Sequence, residues 1–230
     1  MAESMWFVLL LLAAPAMCAV TQKELRDARD RQDRAGLEKL VAQLSSEAES
    51  NAGNAQTQYR LALAESYLAE VLLELRLRND ARAAAEAGIR SAEKAVALKP
   101  EKAEHHRILG TLCGQVIPAN VLAGLKYGKC ALESVNKALQ LDPQSSESYL
   151  SRGVGNYYLP ASFGGGVNVA IADFQKAIEL NPKSADAHLW LGVALRRSNQ
   201  FPDARKALEK SLQLNPNRAW AKQLLEKLPQ

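Results

Sequence analysis

The phrase Ala-x-x-x-Phe-x-x-Ala-Ile-x-Leu-Asn-Pro, at Ala170, Phe174, Ala177, Ile178, Leu180, Asn181 and Pro182, returns 34 residues later as Ala204, Leu208, Ser211, Leu212, Leu214, Asn215 and Pro216. A period of that size constrains the chain more than any local motif, because it signals stacked helical or strand units, none of which buries its apolar face alone. Two earlier copies extend the series: Ala131, Val135, Ala138, Leu139, Leu141, Asp142, Pro143, and a weaker Gly88, Ala92, Ala95, Val96, Leu98, Pro100. Offsets of 0, 4, 7 and 8 place these residues on one helical face. Small residues at offsets 0 and 7 let a neighbouring helix come close, and the larger one at offset 4 fills the remaining space. The proline ends each helix, because it disfavours the α conformation in the residue before it. A composition of 47% hydrophobic but only 6% aromatic residues fits close-packed helices better than strands, which favour β-branched and aromatic side chains, so the expected class is all-α.

Counted from the prolines, the first helix of each pair shows a matching register: His106, Leu109, Gly110, Cys113; Tyr149, Arg152, Gly153, Asn156; His188, Leu191, Gly192, Leu195. Together the two patterns resemble the tetratricopeptide repeat (TPR) family over residues 103 to 216, with a degenerate unit at 56 to 100. The resemblance implies an α-solenoid of paired antiparallel helices acting as a protein-interaction module. The expected division is a leader at 1–20, an N-terminal helical cap at 21–53, units at 54–100, 101–143, 144–182 and 183–216, and a capping helix at 217–230. Periodicity predicts helices over Thr21 to Gln32, Arg34 to Glu49 and Gln56 to Arg78, with Asn79-Asp80 capping the next one.

Pro182 to Pro216 spans 34 residues, Pro143 to Pro182 spans 39 and Pro100 to Pro143 spans 43. The excess of 9 falls within the apolar stretch Gly114 to Lys129, where a short extra helix capped near Asn120 is expected, with an exposed apolar patch as the alternative. The excess of 5 falls at Tyr157 to Gly166, whose glycines and Phe163 suit a tight pinned turn. The run Leu-Pro-x-x-Phe-Gly-Gly also resembles periplasmic T components of TRAP transporters, which implies, as the alternative function, an accessory role in solute transport that binds a small apolar ligand or a solute-binding protein. The long first repeat and the insertions are similar to the regulator of microtubule dynamics family.

The first twenty residues hold an uncharged apolar run from Met5 to Val20. It is short for crossing a membrane, and Ala14, Ala16 and Ala19 suit signal-peptidase cleavage, so the expected localisation is periplasmic or secreted. A retained anchor, or lipidation at Cys18, would be the only membrane attachment expected; the Pro-Ala-Met preceding that cysteine is a poor lipobox. Losing these residues removes one acid and raises the net charge from +4 to +5, with no Lys/Arg-rich run, so nucleic acid is not an expected partner.

No nucleophile, base and orienting acid can be named together, and the three histidines are not spaced to share a metal, so neither enzyme nor cofactor is expected. Cys113 and Cys130 fall at facing positions of one pair and either form a disulfide or remain two buried thiols. Arg152 and Asn156, at positions usually apolar, either lean on neighbouring carboxylates or serve a ligand. The tetratricopeptide resemblance implies a concave groove lined by first-helix residues, here Glu104, Arg107 and Thr111; Glu147, Leu150, Val154, Tyr157 and Tyr158; and Asp186, Leu189, Val193, Arg196 and Arg197. From it the expected partner-binding residues are Arg107, Leu150, Val154, Tyr157, Tyr158, Leu189, Val193, Arg196 and Arg197, with Phe163 from the insertion, for a protein or peptide.

Overall fold

A computed structural model describes residues 20–229 except 120; the leader therefore lies outside the described residues. Eleven α-helices occupy them: α1 (Gln22–Asp30), α2 (Arg34–Ser50), α3 (Ala55–Glu74), α4 (Arg78–Leu98), α5 (Ala103–Val116), α6 (Val121–Leu141), α7 (Ser146–Tyr158), α8 (Val167–Leu180), α9 (Ala185–Arg197), α10 (Phe201–Leu214) and α11 (Ala219–Glu226). Two 3-10 turns, Ile117–Ala119 and Ala161–Phe163, complete the fold, and the described residues contain no strand. Each helix packs on the next, and the odd-numbered helices α1, α3, α5, α7 and α9 also touch in series, forming one face of the stack. This is the expected all-α solenoid of antiparallel pairs.

Local chemistry sets the boundaries. Thr21 and Glu24 form a reciprocal capping box at α1, and the side chains of Asn54, Ser145 and Ser184 accept from the first free amides of α3, α7 and α9. Three pairs are joined by the same tight turn, in which a left-handed non-glycine residue follows the helix: Gln32 (φ 55°), Arg76 (φ 63°) and Asn199 (φ 58°). In each, the next amide donates five residues back, Asp33 to Ala28, Leu77 to Leu72 and Gln200 to Leu195, which is the Schellman arrangement. The α1–α2 segment thus shares its turn with the repeat units. The same turn corrects the expected helix over Gln56 to Arg78: α3 stops at Glu74 and α4 already starts at Arg78, ahead of Asn79. The sequence Leu-Arg-Leu-Arg is compatible with a helix, so nothing local marks the stop.

The core follows the repeat phrase. Ala92, Ala138, Ala170, Ala177 and Ala204 are fully buried. A Cβ added at Gly110, Gly153 or Gly192 would sit 2.5 Å from Val135, 2.5 Å from Phe174 or 2.7 Å from Leu208. In these three pairs the large residue at offset 4 of the second helix therefore rests on the glycine of the first, and only hydrogen fits between them.

The first insertion does not make a separate helix. α6 has 21 residues where α8 and α10 have 14, so the added segment becomes a 3-10 turn and extra N-terminal turns of α6. Asn120, its expected cap, lies outside the described residues. The extension is pinned by Tyr127, whose hydroxyl donates to Glu86 (3.0 Å), and by a disulfide between Cys113 and Cys130 with Cα atoms 6.0 Å apart. Leu122 stands exposed on it. The second insertion turns through Ala161–Phe163 and two left-handed glycines, Gly164 (φ 84°) and Gly166 (φ 105°), and the Gly166 amide donates to the Asn156 carbonyl (2.8 Å). The Phe163 side chain, named above as a binding residue, lies outside the described residues.

Candidate interaction surface

Four residues after Pro100, Pro143 and Pro182 stand Glu104, Glu147 and Asp186, equivalent acids in the first turns of α5, α7 and α9. They open the face formed by the odd-numbered helices. Arg107 answers Glu104 through two hydrogen bonds (3.0 and 2.7 Å), with the Tyr59 hydroxyl donating to the same carboxylate (3.3 Å). Burial alone would lower the Arg107 guanidinium's pKa, but Glu104 outweighs it and holds the group well above its usual range. Among the described residues Glu147 makes no hydrogen bond or ion pair, and its carboxyl is pushed up by loss of water despite nearby Arg107.

Asp186 is answered from the far end of the chain. Arg29 of α1 donates to it (2.9 Å), donates also to Asp30 (2.7 Å), and lies over the Tyr67 ring, 4.9 Å from its centroid. Beside it Arg218, completely buried, donates to Glu70 (2.6 Å) and to Glu74 of α3. Asn215 donates to Asp30 (2.7 Å), and Gln223 donates to Gln32 (2.9 Å), which itself donates to Glu74 (2.8 Å). Helices α1 and α9 are four pairs apart, and at 8–10 Å per packed helix a straight stack would separate them by roughly 32–40 Å. Their contact shows that the array curls until its first and last units meet. Burial pushes Glu70 up to about 7 even with Arg29 and Arg218 beside it. Asp186, equally subject to burial, is instead held low by the same two guanidiniums.

Next to this cluster runs an aromatic row. Tyr158 and Tyr157 meet edge to face with centroids 5.0 Å apart, Tyr157 meets Trp190 at 5.9 Å, and Trp190 meets Trp220 at 5.3 Å. Arg197 donates to the Tyr157 carbonyl (3.0 Å) and lies over its ring.

The predicted groove residues fall into two groups. Arg107, Leu150, Leu189 and Val193 are buried, so they do not offer an open groove: Leu189 and Val193 pack in one cluster with Ala221 and Leu224 of α11, and Leu150 packs with Phe174 and Ala187. The cause is the helices that follow each residue in the chain, α8 and α9 over Leu150 and α10 and α11 over Leu189 and Val193. Val154 and Tyr157 are half-buried against the same clusters, Arg196 is half-buried, and Tyr158 (42% exposed) and Arg197 stay accessible. Arg152 and Asn156 both bind Asp173, Arg152 by a bidentate pair (Nη2 to Oδ1 2.6 Å, Nε to Oδ2 3.2 Å) and Asn156 at 2.7 Å, which ties α7 to α8. The sequence reading missed Arg29, Tyr67, Glu70, Glu74, Trp190, Arg218 and Trp220. One signal was present: Arg218 stands two residues after a proline, where Ser145 and Ser184 cap their helices, and an arginine cannot accept an amide there.

Residues 21–159 match the sequence profile of regulator of microtubule dynamics protein 1-3. The chain belongs to that family. Of the two finer resemblances, the match falls on this one and not on the transporter component. Residues 163–219 match a tetratricopeptide repeat profile, so the two matches together cover most of this regulator-family chain. No curated protein is similar enough in sequence to match. Among solved structures, the thermophilic TPR protein TTC0263 of Thermus thermophilus is similar over 89% of this chain and 98% of its own, with TM-score 0.60 and 18% identity, a likeness of fold alone. YrrB, described as a TPR protein with an unusual peptide-binding site, covers 90% and 93% at 19% identity and TM-score 0.43. MamA (41-end) from Desulfovibrio magneticus RS-1 covers 86% and 96% at 19% identity and TM-score 0.44.

Proposed function

We propose that this regulator-family chain is a non-catalytic protein-interaction scaffold that works after export, engaging a protein or peptide partner at the accessible rim of its inner face. The observation that carries the reading is the rim itself: Tyr158 and Arg197 are exposed on a base formed by the edge-to-face rings of Tyr157, Trp190 and Trp220. Rigid aromatic rings beside an arginine are the side chains that dominate binding energy in protein interfaces. The family's name speaks of microtubules, whereas two features favour an exported setting. The apolar run Met5 to Val20 suits a secretory leader. The Cys113–Cys130 disulfide belongs to an oxidising compartment.

A photo-reactive amino acid at Tyr158, with one at exposed Lys94 of α4 as control, tests the site in the producing cell. A discrete cross-linked protein from Tyr158 alone is expected, and equal background from both positions would overturn the rim as the site. Fractionation of the same cells, with thiol alkylation before lysis, tests the setting: a soluble reduced chain retaining residues 1–20 would refute export.

A further inference from the structure

The contacts that close the array are almost wholly polar. α1 buries one large apolar side chain, Leu25, together with Ala28, and its other buried residues are the charged Arg29 and Asp30. It is joined to α2 by a turn pivoting on left-handed Gln32. On the opposite side α11 is preceded by Arg218, held by Glu70 and Glu74, and the Asn215 and Gln223 side chains reach Asp30 and Gln32. Two guanidiniums, Arg29 and Arg218, thus face four carboxylates, Asp30, Glu70, Glu74 and Asp186. Arg218 Nε has no hydrogen-bond partner among the described residues, its nearest carboxylates, Asp186 and Asp30, lying at 3.8 and 3.9 Å. An attachment made of buried ion pairs, with no apolar cluster spanning it, depends on every charge keeping its partner, because removing one partner leaves another charge buried and uncompensated.

We propose that α1 is an intramolecular strap: Arg29 seated between Asp186, Glu70 and the Tyr67 ring latches the first unit to the last and covers the inner face, and the strap swings out on the Arg31–Asp33 turn to uncover it. Three of the four apolar clusters draw nothing from α1; in the fourth, Val20, Leu25 and Ala28 join side chains of α2, α3 and α4. Release of α1 therefore frees its contact with α9 and leaves the units from α5 onward packed, while Arg218 keeps its bonds to Glu70 and Glu74 of α3. The opening is independent of which partner then binds at the rim, so failure of the scaffold reading leaves the strap testable, and the reverse.

The test is amide hydrogen exchange on the full chain, comparing wild type with Arg29→Gln, Asp186→Asn and Arg29→Lys. Exchange in residues 22–30 and in the first turn of α9 is expected to rise at least tenfold in Arg29→Gln, while α5 to α8 keep wild-type protection. Asp186→Asn, which neutralises the acceptor on α9 and leaves α1 unaltered, should raise exchange in residues 22–30 likewise, which keeps the comparison available if Arg29→Gln loses its fold. Arg29→Lys, which keeps a cation between Asp186 and Glu70, is expected to recover part of the difference. A fluorescent peptide of residues 21–33 supplies a second readout and is expected to bind Arg29→Gln at least tenfold more tightly than wild type. Exchange in residues 22–30 that never outruns α5 to α8 in either neutralised variant overturns the strap, as does a peptide that binds neither protein.

Discussion

Glu65 lies in α3 with only 6% of its surface exposed, and its one hydrogen-bond partner among the described residues is the Ser91 hydroxyl, which donates to it at 3.1 Å. Burial pushes its carboxyl up to about 7, against the smaller opposing effects of that hydrogen bond and of Arg90 and Lys94. In the unfolded chain the same group titrates near its ordinary 4.5. Between those values the folded protein holds a proton that the unfolded chain has released, so stability falls as pH rises through the interval. The cost is complete above the folded value and nearly absent below the unfolded one: about 3 kcal/mol at pH 8 and about 1 kcal/mol at pH 5. Replacing Glu65 by Gln keeps the size and the oxygen that accepts from Ser91 but removes the titration. Whatever fixed cost the buried amide brings applies at both pH values, so the informative quantity is the change between them. Urea unfolding of wild type and Glu65→Gln at pH 5 and pH 8 should show the variant gaining about 2 kcal/mol on wild type over that range. Parallel pH profiles would refute the reasoning, because they would mean that Glu65 keeps its charge in the fold.

Gly153→Ala should destabilise by about 1–3 kcal/mol through overpacking, since the new methyl would lie 2.5 Å from Phe174, while Gly155→Ala, with nothing within 4 Å, serves as the control in the same urea titration. Phe174→Ala should cost about 3–5 kcal/mol as the removal of a fully buried ring; a loss below about 0.5 kcal/mol would show the offset-4 packing to be misplaced. Asp173→Ala leaves the Arg152 guanidinium and the Asn156 amide without their acceptor and should cost about 1–3 kcal/mol, read by chemical denaturation. Reductant should lower stability by up to about 3 kcal/mol by opening the Cys113–Cys130 loop, and a Cys113→Ser, Cys130→Ser double variant should not respond to reductant.

The repeat phrase made most of the fold legible, because its alanines and glycines are spaced by the same steric demand in every unit. Arg152 and Asn156 were legible as anomalies, and their explanation needed only the neighbouring helix, where Asp173 waits at a fixed offset from the proline. The inner face was not legible. Leu150, Leu189 and Val193 read as groove positions because in a stack of that register they point inward, but the helices that follow them in the chain close over them. Nor does any local signal say how far the stack curls. Curvature is the sum of small rotations at every interface, and here it brings together residues as far apart in sequence as Gln32 and Gln223. Periodicity within a unit carries no information about that sum. Arg218 in a capping serine's place was the one local trace of it, and its meaning depends on Glu70 and Glu74, which in sequence are ordinary acids on a long helix.

Solenoids ordinarily tolerate the gain or loss of a unit, since each one needs only its neighbours. The meeting of Arg29 with Asp186 and of Arg218 with Glu74 removes that freedom. One more unit would carry the acceptors past their donors, and one fewer would leave two buried guanidiniums facing water or nothing. Repeat number in this chain is therefore a fixed count, set by the circumference over which its ends can reach each other. Descendants of such a chain are expected to vary in their insertions, at α6 and before α8, while keeping the number of units unchanged.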